Sequence, residues 1–164
     1  MQPSELLTLA LGVAREFDPQ AEERTKSTQP AIVVKAERLL DVMRAFRDRK
    51  ELGFDLLMVH TAVDWIKEER FELLYNLMAV NSQLQLWVST SVPRAIPEVD
   101  SVSSLFPIAE FQEREVYDLF GVRYRGHPDL RRILLEDTWV GFPLRKDYQD
   151  DFMLEKPMVE KLAK

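Results

Sequence analysis

Residues 54–92 read FDLLMVHTAVDWIKEERFELLYNLMAVNSQLQLWVSTSV, and their pattern decides the fold. Residues 84–92 alternate strictly. Leu84, Leu86, Val88, Thr90 and Val92 fall on one face and Gln85, Trp87, Ser89 and Ser91 on the other, the period of two expected of a half-buried strand. Residues 71–80 place Phe71, Leu73, Tyr75, Leu77 and Ala79 on one face, and Asn81-Ser82 has the length and chemistry of a tight hairpin turn. Residues 54–63 are almost continuously apolar, which predicts a strand buried on both faces. The polar outer face of 84–92 makes that strand the expected edge of the sheet.

Working outward toward the N-terminus, Ala31 to Lys35 is a short β-branched run that passes directly into a helix over about 36–50, with Leu39, Leu40, Val42, Met43 and Phe46 on its inner side. Gly53 marks the turn that follows. Residues 20–30 are polar and read as a surface linker. Ser4 is the expected N-cap of a helix over about 5–17, which Asp18-Pro19 stops. The N-terminal stretch lacks the basic start of a signal peptide and reads as structure. These elements predict an α+β fold: a four-stranded mixed sheet with helices packed on it.

In the other direction, Pro93 and Pro97 interrupt regular structure, Ser101 caps a short turn or helix through Phe106, and Pro107 opens a helix that Gly121 ends. On a helical wheel Ile108, Phe111 and Leu119 fall within a stripe of about 80°, with Glu115 in its middle. A carboxylate in an apolar seam is costly unless it is paired. Arg123, Arg125, Arg131, Arg132, Arg145 and Lys146 follow just downstream. The expectation is a strap that folds back over the helix and sets an arginine on Glu115, so that Glu115→Gln would loosen it. Residues 121–164 are therefore read as an extended C-terminal strap and tail beside a domain formed by 1–120. The tail after Tyr148 is expected to be mobile unless a partner holds it.

Charge follows the same division. Residues 1–120 hold 13 Lys/Arg against 20 Asp/Glu, whereas 121–146 hold 6 against 3. The basic strap either neutralises its own body or faces an acidic partner. A pI near 5.1 argues against nucleic acid as a partner. The absence of Cys excludes disulfides, thiolate metal sites and iron–sulfur ligation by this chain. No apolar run approaches the roughly 18 residues of a membrane span, so membrane attachment would come through partners.

The residues offer little self-contained chemistry. Glu113, Glu115, Asp118 and His127 are the residue types of a carboxylate–histidine metal site, and a stand-alone metal-dependent hydrolase could use them. Yet Glu113 and Glu115 point about 160° apart on a helix, and a structural ion-pair network accounts for the same residues. His60, alone in an apolar strand, reads as a packed or hydrogen-bonded core residue. No Gly-rich phosphate loop and no Gly-Xaa-Ser-Xaa-Gly elbow is present. What remains is a segment rich in arginine and aromatics (Tyr117, Phe120, Tyr124, Trp139, Phe142, Tyr148), residue types that anchor protein interfaces or pack on their own domain.

Several blocks in this segment carry a resemblance. Glu113-Arg114-Glu115, Asp118, Leu119-Phe120-Gly121, His127-Pro128, Leu130 to Leu134 and Gly141 to Tyr148 stand in order over about 40 residues. They resemble the signature of the hydrophilic C-type, or 30-kDa-type, subunit of respiratory complex I, the proton-pumping NADH:quinone oxidoreductase. Phe142 departs from that family's usual His and Gln149 from its frequent Pro. An aromatic at the first of these positions is similar to the related J-type subunit of the cyanobacterial and chloroplast complex, and membrane-bound hydrogenases carry a similar subunit too.

The resemblance implies a scaffold in the peripheral arm with no catalytic residue and no bound cofactor. Iron–sulfur clusters, FMN and quinone would then lie in partner subunits. It also implies docking on the quinone-site and iron–sulfur subunits at the cytoplasmic side of the cell or thylakoid membrane. Glu113, Arg114, Glu115, Asp118, His127, Arg131, Arg132, Arg145, Lys146 and Asp147 are the structural and interface residues it implies.

Overall fold

A computed structural model describes residues 2–25 and 27–149. The expectation for the tail lies, from residue 150 onward, outside the described residues. Helix α1 (Pro3–Arg15) leads into a two-residue strand β1 (Glu22–Glu23) and then β2 (Ala31–Val33). A 3₁₀ turn continues into α2 (Leu39–Asp48), followed by the long strands β3 (Leu56–Trp65), β4 (Arg70–Ala79) and β5 (Leu84–Pro93). Then come β6 (Glu98–Asp100), α3 (Ala109–Phe120) and β7 (Arg123–Arg125). Among the described residues no helix is long and apolar enough to cross a membrane.

The main sheet is mixed, in the order β1-β2-β5-β4-β3. The α+β layout is as expected, but among the described residues this sheet has five strands rather than four. Glu22 and Glu23, read as linker, pair antiparallel with Val33 and Ile32. A second correction concerns the edge. β5 is central, because β2 runs parallel to it with Ile32 opposite Val88, and Ser89 of the face expected to be polar is buried with its hydroxyl toward the Ile32 carbonyl. β3 is the edge instead: Leu56, Met58 and Val59 are about two-fifths exposed, so its apolar run is not covered on both faces within this chain. A register shift between Leu57 and Val59 turns Met58 and Val59 outward together. The β4–β5 turn is a four-residue loop, Val80 to Gln83, closed by Gln83 at φ +55° rather than by a two-residue turn at Asn81-Ser82.

Helix α1 begins two residues earlier than expected, capped by Gln2 in place of Ser4. The Gln2 N–H donates to the Glu5 carboxylate at 2.9 Å. One apolar cluster joins the inner face of β4 (Phe71, Leu73, Tyr75, Leu77) to all three helices. Phe120 near the end of α3 meets Phe71 edge-on, with ring centres 6.0 Å apart. After α3 the chain first returns to the body. Val122 and Tyr124 are buried, and β7 pairs in parallel with β6. The extended strap leaves the body after Arg125, beyond Gly121, and lies back on α3.

Candidate docking site: the strap locked on a helix

The body-facing side of α3 consists of Ala109, Glu113, Val116 and Phe120, about 180° from Phe111 on the wheel. The stripe chosen from Ile108 and Phe111 therefore turns outward. Ile108 is 44 % and Phe111 53 % exposed, and Glu115 is exposed too. Among the described residues no ion pair forms on Glu115, so the expected pairing with a strap arginine is corrected. The strap does fold back, but its acceptor is Asp118, about 60° from Glu115 on the wheel.

Asp118 is fully buried. Its Oδ2 accepts the backbone N–H groups of Ile133, Leu134 and Leu135 at 3.0, 2.8 and 2.9 Å. Its Oδ1 accepts Arg132 Nη1 at 2.7 Å. Three successive amides converging on one oxygen form an anion-binding nest. Burial alone would raise the Asp118 pKa; the amides and Arg132 outweigh it and hold the group below the ordinary carboxylate value. Arg132 Nη2 donates to the carbonyls of Trp139 and Gly141 at 3.0 and 3.1 Å, drawing a second loop of strap onto the same helix. Arg114 is also buried and donates to the carbonyls of Arg131 and Arg132 at 3.2 and 3.1 Å. One acid and two arginines thus hold the strap mainly through its own backbone.

The far end of the strap is seated on the helix C-terminus. Leu144 N–H donates to the Leu119 carbonyl at 3.1 Å and Arg145 Nε to the Phe120 carbonyl at 2.7 Å, serving groups that a helix end leaves unpaired. Gly121 ends α3 at φ +78°, and a Cβ there would lie 2.6 Å from the Phe142 ring and 2.8 Å from Arg145 Nη2. The glycine is needed for both the turn and the packing. The Arg145 guanidinium sits 4.8 Å from the Phe142 ring centre and 5.2 Å from that of Phe71. Beyond it, Asp64 accepts Arg94 Nε and Nη2 at 3.0 and 3.3 Å and the Lys146 amide at 2.9 Å, while Asp147 also pairs with Arg94. The Lys146 ammonium is 6.0 Å from the Trp65 ring centre. Among the described residues Arg131 pairs only with its neighbour Asp129.

Glu113 does different work. Buried beneath α3, it accepts Ser101 Oγ at 2.6 Å and the Val102 N–H at 2.7 Å, tying the segment before the helix to its second turn. Burial pushes its pKa up to about 7, against the lowering effect of those two hydrogen bonds. His127 lies 4.0 Å away, but its ring is committed. Nδ1 accepts the Asp129 N–H and Nε2 lies 2.9 Å from the Glu110 carbonyl, so Nε2 carries the proton. Glu115 exposed, Asp118 enclosed by amides and His127 turned to a carbonyl do not gather at one point. Among the described residues no three His, Asp or Glu side chains converge as metal ligands. His60 packs as expected, stacked on Tyr75 at 4.0 Å and within 3.0 Å of the Leu74 carbonyl and 2.6 Å of Tyr124 Oη.

Most of the sheet, α3 and the described strap fall in a stretch that matches a known family. Residues 32–151 match the family described as the respiratory-chain NADH dehydrogenase 30 Kd subunit. This chain belongs to that family. It is 44 % identical over 131 residues to the C-type subunit of NADH-quinone oxidoreductase from Moorella thermoacetica, covering 80 % of this chain and 87 % of that one. Among solved structures it is similar to a trypsin-resistant fragment of Nqo5, with a TM-score of 0.65 and 29 % identity over 76 % of this chain and 99 % of the fragment. It is also similar to a chain of an archaeal respiratory membrane complex, the membrane-bound sulfane sulfur reductase. There the TM-score is 0.69 at 28 % identity, over 98 % of this chain and 90 % of that one. Family membership accounts for the ordered blocks of the strap, although Asp118 as their anchor had no local signal. Its partners lie 14 to 17 residues downstream.

Proposed function

We propose that this chain is a non-catalytic scaffold subunit in the peripheral arm of a proton-translocating NADH:quinone oxidoreductase, where it supports electron transfer to quinone. The observation that carries the reading is the strap. It is extended chain, pinned through its backbone to α3, and it keeps Leu134, Val140 and Leu144 between 51 % and 84 % exposed. A segment ordered in this way while presenting apolar side chains to water is suited to a protein interface. On this reading the partners are the subunits that form the quinone site and carry the iron–sulfur clusters. Clusters, FMN and quinone belong to them, and this chain binds no cofactor. It meets the cytoplasmic side of the cell or thylakoid membrane only through those partners.

The likeness to the sulfane sulfur reductase chain over 98 % of this chain favours a second reading, the equivalent scaffold of a related ferredoxin-driven complex or membrane-bound hydrogenase. Mild-detergent affinity purification of the tagged protein from its own cells tests both. Iron–sulfur and membrane subunits in near-equal amounts are expected, and the identity of the donor-side subunits separates the two readings. A chain that purifies alone refutes both.

A further inference from the structure

Most cations around the strap are already matched. Arg132 pairs with Asp118, Arg131 with Asp129, Arg125 with Asp100 and Glu98, and Arg94 with Asp64 and Asp147. Arg123, Arg145 and Lys146 have no carboxylate within ion-pair distance among the described residues. Lys146 turns to Trp65, but Arg123 and Arg145 line one groove of about 270 Å³ between residues 95–98 and the strap. Tyr117 and Phe142 form an aromatic wall of that groove, with ring centres 6.4 Å apart. Ile96 stands at its rim, 77 % exposed.

Arg145 is the more telling of the two cations. Its Nε is used on the Phe120 carbonyl, and its Nη2 lies over Gly121, where the glycine leaves room for it. Neither terminal nitrogen meets an acceptor among the described residues. Burial, and then the like charge of Arg94, lower its pKa; Asp147 and Asp64 favour its charge from farther off while held by Arg94. A half-buried cation is thus fixed between two rings with no carboxylate in ion-pair contact among the described residues, although burying charge unpaired is costly. Glu98, the one acid lining the groove among the described residues, is drawn to Arg125 at 3.5 Å.

We infer that this groove is the seat of a single carboxylate side chain from a partner subunit, held between Arg123 and Arg145 with an apolar neighbour against Ile96. The inference rests on the docking reading above and assigns it a point of charge recognition. A planar carboxylate suits arginine's forked donors. Glu98 at the same groove repels a more highly charged phosphate, and the overall charge of −6 disfavours nucleic acid.

Two experiments on the assembled complex test it. In the first, Arg123→Lys keeps the positive charge and supplies an amine, which carbodiimide joins directly to a contacting carboxylate; the joined peptides are then mapped by mass spectrometry. An amide to an Asp or Glu of a partner subunit is expected. A link only to this chain's own acids, such as Glu98, Asp150 or Asp151, overturns the inference, as does no link at 123 in an assembled complex.

In the second, tagged Arg123→Glu competes with untagged wild type for incorporation, with Lys50→Glu as a reversed charge at the exposed end of α2. Like charges facing across an interface cost several kcal/mol, so depletion of Arg123→Glu by about tenfold or more is expected. Lys50→Glu should incorporate normally. Equal incorporation of Arg123→Glu overturns the groove while leaving the scaffold reading intact. A wild-type chain that joins no complex overturns both.

Discussion

Replacing Asp118 by asparagine isolates the lock between strap and helix. The carboxylate accepts three backbone amides on Oδ2 and Arg132 on Oδ1, all at 2.7–3.0 Å. Asparagine removes the charge and turns one of those oxygens into a donor. With its amide nitrogen toward Arg132, the three amide bonds survive to a neutral oxygen and a guanidinium loses its counter-charge. Removing one partner of a buried pair costs about 3–5 kcal/mol. Arg132 retains 16 % exposure, so the lower end, about 3 kcal/mol, applies. At about 1.4 kcal/mol per factor of ten, the strap's opening equilibrium rises by roughly 10²-fold. The strap adds little to the buried core, so the loss should stay local. Amide hydrogen exchange reads it directly: protection at Ile133, Leu134 and Leu135 falls by about two decades, while Leu73 and Tyr75 in β4 stay protected. Unchanged exchange at the three strap amides, or an equal loss across β4, would refute the lock.

Gly121→Ala places a methyl group against Phe142 and Arg145 at φ +78°; a cost of about 1–3 kcal/mol and faster exchange of the Leu144 amide are expected, with the Ile133–Leu135 amides less affected. Glu113 and His60 set opposing pH dependences. Burial raises Glu113 from 4.5 to about 7, so its contribution is full below 4.5 and lost as pH rises through 7. Burial lowers His60 from 6.5 to about 4, so its contribution is present above 6.5 and lost as pH falls toward 4. Glu113 faces the Ser101 hydroxyl, the Val102 amide and the His127 ring, and its charge acts on Tyr75 and Tyr124. The two slopes cancel between roughly pH 4.5 and 6.5, so Glu113→Gln should lose about 1.4 kcal/mol per pH unit below 6.5 where wild type is flat. Urea unfolding at pH 5, 6 and 7 measures this, and equal slopes in both proteins contradict it. For Asp118 the folded pKa is depressed, so its contribution persists above 3.8 and is lost only as pH falls through the lower folded value. The Leu134 amide chemical shift should titrate with a midpoint below 3.8.

The strands were legible because alternation in 71–80 and 84–92 matches the pleat regardless of context. Their order was not. β5 becomes central through the parallel return of β2, a long-range pairing with no local signature, and two glutamates in a polar linker suffice to add β1. The wheel of α3 carried the right elements at the wrong phase. Glu115 and Asp118 lie about 60° apart, and only the path of the strap decides which is enclosed. The length of the helix, its stop at Gly121 and the return of an arginine-rich strap were all readable from the sequence. The roles of Glu113, Asp64 and Arg94 were not, because their partners are set by tertiary packing.

The two edges of the main sheet are unequal. β1 closes one side with two exposed glutamates, whereas β3, ten residues long and met by Gln112 of α3 at the Met58 carbonyl, keeps Leu56, Met58 and Val59 in water on the other. Short, charged edges resist pairing with other chains, while long apolar edges invite it. A copy of this protein made in excess of its partners therefore carries its own template for misassociation and for recognition by chaperones and proteases. Its abundance in the cell should follow that of the chains it assembles with, set by clearance of orphans as much as by the rate of synthesis.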